Sequence, residues 1–145
     1  MLHLVRRFFQ SWSSRLPDDS ETVPLRDLMT VDEFALWTSM AAPDQRHSLK
    51  VVERFRDRLV DATSAEIVGV ALHDVGKVRS GLGTFGRVMA TVVGPRTTRF
   101  RIYHDHERIG LQMLRECGSS LDVVAVLEGT AREAALAAFR WADDC

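Results

Sequence analysis

His47, His73, Asp74, His106 and Asp143 are the residues whose type and spacing can do chemistry in this sequence. His47 lies on a stripe with Val51 and Phe55, at i, i+4 and i+8, so helical geometry places it among apolar side chains instead of in water. Ile67, Val70, Ala71 and Asp74, at i, i+3, i+4 and i+7, do the same for a carboxylate, with His73 beside it. His106 shares its stripe with Ile109, Gly110, Met113 and Cys117, and Asp143 shares one with Leu136 and Phe139. Singly, each is the ordinary hydrogen-bonded polar residue of a core. Together they point to a metal site. A buried carboxylate without a partner protonates or finds a cation, and a bound divalent cation makes several inward His and Asp side chains mutually stabilising. The mixed imidazole and carboxylate set predicts a divalent metal cofactor (Mn, Fe, Co, Ni, Zn or Mg) and not an all-oxygen calcium cage.

The charge pattern bears on the substrate. Lys77, Arg79, Arg87, Arg96, Arg99 and Arg101 fall in a stretch, 75–101, that holds no acid, whereas the whole chain carries a formal charge of −1. Such local excess predicts an anionic small-molecule partner bound by Lys77, Arg79 and Arg87, the alternative being a merely solvated basic face. The near-neutral total leaves no global field for nucleic acid, so none is expected as a partner. Gly81, Gly83 and Gly86 in the same stretch fit a dinucleotide fingerprint and a kinase glycine loop. Both readings fail, because no strand precedes the glycines and the remaining kinase motifs are missing. A loop that brings backbone amides and Lys77 near a phosphate, or a tight connection between helices, accounts for them. No nucleophilic triad emerges: Ser48 is only a sequence neighbour of His47, and Cys117 reads as core.

The elements that must position these groups are helices, since several segments carry three-to-four spacing and none alternates for long. Thr30 and Glu33 form a capping-box pattern opening a helix to about Ala42, and Pro43 starts the next, from about Asp44 to Val60. Ser64 is expected to cap a helix from Ala65 to Asp74 that Gly76 closes. A weaker helix is predicted over 84–93, then one from near His104 to Gly118 and one from Leu121 to Glu128. Thr130 with Glu133 repeats the capping box for the last. The stretch 17–24 (PDDSETVP) reads as a linker, so residues 1–24 form an amphipathic arm and linker and 25–145 one helical domain. The arm is basic and apolar. It packs over the domain core or, alternatively, lies on an anionic membrane surface. No apolar run is long enough to span a bilayer, the arm lacks a signal-peptide cleavage site, and two cysteines make no disulfide framework; a cytoplasmic protein is expected. Oligomeric state is not encoded in any pattern here.

Ala71-Leu72-His73-Asp74-Val75-Gly76-Lys77 resembles the signature of the HD-domain superfamily of metal-dependent phosphohydrolases, whose pattern is H…HD…D. Arg46-His47-Ser48 is similar to its first histidine, Trp141-Ala142-Asp143-Asp144 to its closing aspartate, and His106-Glu107-Arg108-Ile109-Gly110 to the HxxxG segment of HDIG-type members. The likeness covers 30–145. It implies a compact all-α bundle of about six to seven helices. It further implies a metal held by His47, His73, Asp74 and Asp143, with His106 completing the set or orienting substrate. Members with a second metal usually carry a further histidine, often a His-His pair, where this chain reads Ala125-Val126-Leu127-Glu128-Gly129-Thr130. The activity implied is hydrolysis of a nucleotide or other small phosphate ester. Asp74 would ligate the metal and hold the attacking water, and Lys77 would offset charge building on the phosphoryl oxygens. A non-catalytic HD-fold module that binds a nucleotide or a protein is the other expectation, motivated by the missing histidines.

Overall fold

The computed structural model describes residues 15–80 and 105–145. Within them the chain is entirely helical, with no strand: α1 Asp19–Arg26, α2 Val31–Thr38, α3 Ala42–Arg58, α4 Ser64–Ala71, a 3-10 turn Val75–Ser80, α5 His106–Glu116, α6 Leu121–Glu128 and α7 Glu133–Asp144. The arm before residue 15, the glycine segment 81–86 and the helix predicted over 84–93 lie outside the described residues.

Local chemistry explains where the helices start. Thr30 Oγ1 accepts from the Glu33 backbone N–H at 3.1 Å while Glu33 accepts from the Thr30 N–H at 2.9 Å, closing the expected capping box of α2. The stretch read as a linker is instead helical from Asp19. Asp18 and Glu21 form a second capping box, with bonds of 3.0 and 2.8 Å. Pro24 is tolerated because the carbonyl it leaves without a helical donor belongs to Ser20, in the exposed first turn. Two caps differ from expectation. Thr63, not Ser64, caps α4, reciprocated by Glu66. Thr130 does not open α7: Gly129 takes the left-handed conformation (φ 77°) at the end of α6, and the Thr130 N–H bonds back to the Ala125 carbonyl, so Thr130 closes α6. Helix α7 begins at Glu133, after Arg132. Helix α2 stops at Thr38, short of the expected Ala42, and α3 starts at Ala42 with Pro43 in its first turn.

The core is formed by Trp37, Val51, Phe55, Val68, Val70, Leu72, Val75 and Leu114, each fully or almost fully buried. Removing side chains of this size from water contributes on the order of 1.5–3 kcal/mol each. Helix α3 lies against α4 and α7, α4 against α6, and α5 against α6 and the 3-10 turn. Two crossings are close enough to demand glycine. A Cβ on Gly69 of α4 would stand 2.7 Å from the Val126 side chain and 2.8 Å from the Val123 carbonyl oxygen of α6. We expect Gly69→Ala to lower unfolding free energy by about 1–3 kcal/mol, read by urea denaturation, because backbone on the facing helix cannot yield. An unchanged midpoint would contradict this packing.

The second crossing brings Gly76 of the 3-10 turn against the start of α5. A Cβ there would fall 1.8 Å from the His106 carbonyl oxygen and 2.7 Å from the Gly110 N. The two segments therefore touch backbone to backbone, beside His106. No helix among the described residues is long and apolar enough to cross a membrane.

Candidate metal centre

Helix α3 presents His47 half-buried at the end of the stripe that Val51 and Phe55 anchor in the core. Helix α4 stops at Ala71, three residues earlier than periodicity predicted, and the turn that follows carries His73 and Asp74 inward. The first residue of α5 is His106, and Asp143 sits in the last turn of α7. All five residues singled out by spacing thus meet in one place.

Asp74 is at the centre. Its Oδ2 accepts from Lys77 Nζ at 2.6 Å and lies 3.4 Å from His73 Nε2 and 4.0 Å from His47 Nε2. Its Oδ1 is 3.3 Å from His106 Nε2. Asp143 Oδ1 stands 3.0 Å from His47 Nε2 and 3.4 Å from His73 Nε2. Side-chain exposure grades from 5% for Asp74 and 8% for His73 to 19%, 20% and 28% for His47, His106 and Asp143. The cluster therefore has a buried floor and a rim open to water.

The electrostatics follow from that burial. Taking Asp74 out of water opposes its ionisation, yet His73, Lys77 and His106 hold its carboxyl well below the usual carboxylate range. Burial likewise opposes the charge on Asp143, and the hydrogen bond with His47 and the nearby His73 imidazole lower its pKa despite the repulsion from Asp74. Burial disfavours a charged His73, but the neighbouring Asp74 and Asp143 carboxylates outweigh it and raise the imidazole pKa. The site is built to concentrate negative charge and hold a positive one.

His73 shows what that positive charge is for. Its Nδ1 donates to the Val70 carbonyl at 2.6 Å, which fixes one proton on Nδ1. Its Nε2 is buried and has no hydrogen-bond partner, although it faces two carboxylate oxygens. A lone pair aimed between two anions is unfavourable until a proton or a metal ion lies among them. His47, His73 and Asp74 each offer a ligand atom, all within 4.8 Å of one another, so a metal ion fits these donors.

Lys77 joins the cluster through Asp74. Arg79 is engaged by Glu116 of α5 at 3.1 Å, and Arg87 lies outside the described residues. Cys117 and Cys145 are free thiols, and the Cys117 Sγ bonds the Leu114 carbonyl. Spacing missed two residues that grip backbone beside the ligands. Arg54 of α3 donates to the carbonyls of Ala142 and Cys145, at 3.3 and 3.0 Å, around the helix end that carries Asp143. Ser48, next to His47, is fully buried and bonds both Trp37 and Ala71. The only sequence signal for either was a polar residue on an inward or half-inward helix position, and seryl and arginyl side chains carry little weight in such patterns.

No protein-family model, curated protein or solved structure matches this chain. The functional reading therefore rests on the residues and their geometry.

Proposed function

We propose that the protein is an HD-type metal-dependent phosphohydrolase that cleaves a nucleotide or another small phosphate ester. The observation that supports the metal in this reading is the buried Nε2 of His73, without a hydrogen-bond partner between Asp74 and Asp143, with His47 closing the set; the phosphoester chemistry rests on the resemblance of His47, His73-Asp74 and Asp143 to the HD pattern. His47, His73, Asp74 and Asp143 would hold one divalent ion, with His106 on the open rim beside Asp74. Such an ion, when bound, would polarise a phosphoryl oxygen and lower the pKa of a water poised to attack phosphorus.

The chain's own groups supply the rest. Asp74 keeps its carboxyl ionised, so it serves as an anionic ligand and as a hydrogen-bond acceptor that would hold the attacking water in place. Lys77 sits 2.6 Å from Asp74 at the cluster edge, where its ammonium offsets charge accumulating on phosphoryl oxygens. His106, one-fifth exposed and 3.3 Å from Asp74, stands where substrate would enter and orients it. His73, locked by Val70, keeps its tautomer throughout.

The test is phosphate release by the full chain, loaded separately with Mn, Co, Ni, Zn and Mg, from nucleoside phosphates and other small phosphate esters. The expected result is turnover with at least one metal and substrate, abolished by chelation. No turnover from the whole panel, with metal shown to be bound, would contradict the enzymatic reading and leave a non-catalytic nucleotide- or protein-binding module.

A further inference from the structure

Beside the cluster stands a buried residue that is neither a ligand nor a charge. Ser48 follows His47 on α3 and is fully buried. Its hydroxyl donates to the Ala71 carbonyl at 2.7 Å and accepts the Trp37 indole N–H at 3.0 Å. Ala71 is the last residue of α4, two positions before His73.

The Ala71 carbonyl matters because it lies where the helix breaks. In a continuing α-helix it would accept from the Val75 N–H. Here the Val75 N–H bonds Leu72 at 3.0 Å and the His73 N–H bonds Val70 at 3.3 Å, both three residues back, so the winding has tightened. That change of winding is what turns His73 and Asp74 toward His47. A carbonyl given up inside a core costs free energy unless another donor takes it, and Ser48 is that donor. One hydroxyl thereby stabilises the break and ties it to the helix turn that bears His47.

We propose that Ser48 is a positioning residue of the metal centre, holding the His73–Asp74 turn in register with His47. The idea rests on the metal reading given above. Without the hydroxyl, the Ala71 carbonyl is free to recapture the Val75 N–H, which rewinds the turn and draws His73 and Asp74 away from a common point. Loss of a partner that bonds a ligand directly typically costs 10- to 100-fold in metal affinity, and Ser48, acting through the backbone one step further out, falls at the lower end, about 10-fold.

The experiment is titration of the metal-free full chain with Co(II), followed by its visible absorption, in wild type, Ser48→Ala and Trp37→Phe, each with its urea stability measured. Trp37→Phe removes the other hydrogen bond of the same hydroxyl and leaves the bond to Ala71. We expect Ser48→Ala to weaken Co(II) binding by about 10-fold and to change the absorption bands. Trp37→Phe should lose stability while keeping wild-type affinity and spectrum. Wild-type affinity and spectrum in Ser48→Ala would overturn the proposal, as would an equal affinity loss in Trp37→Phe, which would make the effect one of general stability. If Ser48→Ala does not fold, Ser48→Cys keeps the volume with a weaker donor and should shift affinity and spectrum in the same direction; an unshifted Ser48→Cys would overturn the proposal. A wild type that takes up no Co(II) would instead remove the metal reading itself.

Discussion

Asp74→Ala is expected to abolish phosphate release and to reduce metal affinity by 100-fold or more, about 3 kcal/mol or above in binding free energy. Four groups converge on this one carboxylate, Lys77 at 2.6 Å, His106 at 3.3 Å, His73 at 3.4 Å and His47 at 4.0 Å. It also sits on the buried floor, where a lost anion is not replaced by solvent. The substitution acts twice. It deletes a ligand, and it leaves the Lys77 ammonium without its closest counter-charge beside the remaining histidines. Calorimetric titration of the metal-free variant reads the first effect, and phosphate release at saturating metal reads the second. Retention of wild-type affinity would show that Asp74 is a structural ion-pair partner of Lys77 and not a ligand.

The second large effect is expected from a residue with no side chain. Gly76→Ala should destabilise the protein by about 3 kcal/mol, the upper end of the usual cost of overpacking, since a Cβ would stand 1.8 Å from a backbone carbonyl oxygen. The clash can be relieved only by parting the 3-10 turn from α5, and α5 begins with His106. The same substitution therefore withdraws His106 from Asp74. Urea unfolding measures the stability loss. If His106 also orients substrate, KM should rise in the surviving folded fraction. A variant within about 0.5 kcal/mol of wild type would contradict the backbone contact between Gly76 and Gly110.

How much of this was legible in the sequence depended on the kind of signal. The inward placement of His47, His106 and Asp143 follows from helical periodicity, which survives errors of a residue or two in helix ends, whereas Asp74 is inward for a different reason, the turn after α4. The ends themselves were less readable. Asp18 and Glu21 carry the same capping pattern as Thr30 and Glu33, but Pro24 and a polar composition masked it, and 17–24 read as a linker. The Thr130–Glu133 pair has the right letters and the wrong role, because the left-handed Gly129 spends Thr130 on closing α6. Simple periodicity also ran α4 through Asp74. At the observed break the Ala71 carbonyl is taken by Ser48, a residue 23 positions away, and a pattern read along one segment does not contain a bond between two. The same holds for Arg79. Its position after Lys77 suggested a substrate cation, whereas Glu116, brought near by the α5 crossing, engages it.

The most direct test of the metal centre is the metal content of the full chain after reconstitution with Co(II) or Mn(II) and removal of unbound ion, measured by elemental analysis. One cluster built from His47, His73, Asp74 and Asp143 predicts about one ion per chain in wild type and essentially none in Asp74→Ala. No ion retained by the folded wild-type protein under any of these conditions would contradict the account, and would mean that a proton on His73 supplies the positive charge the two carboxylates demand.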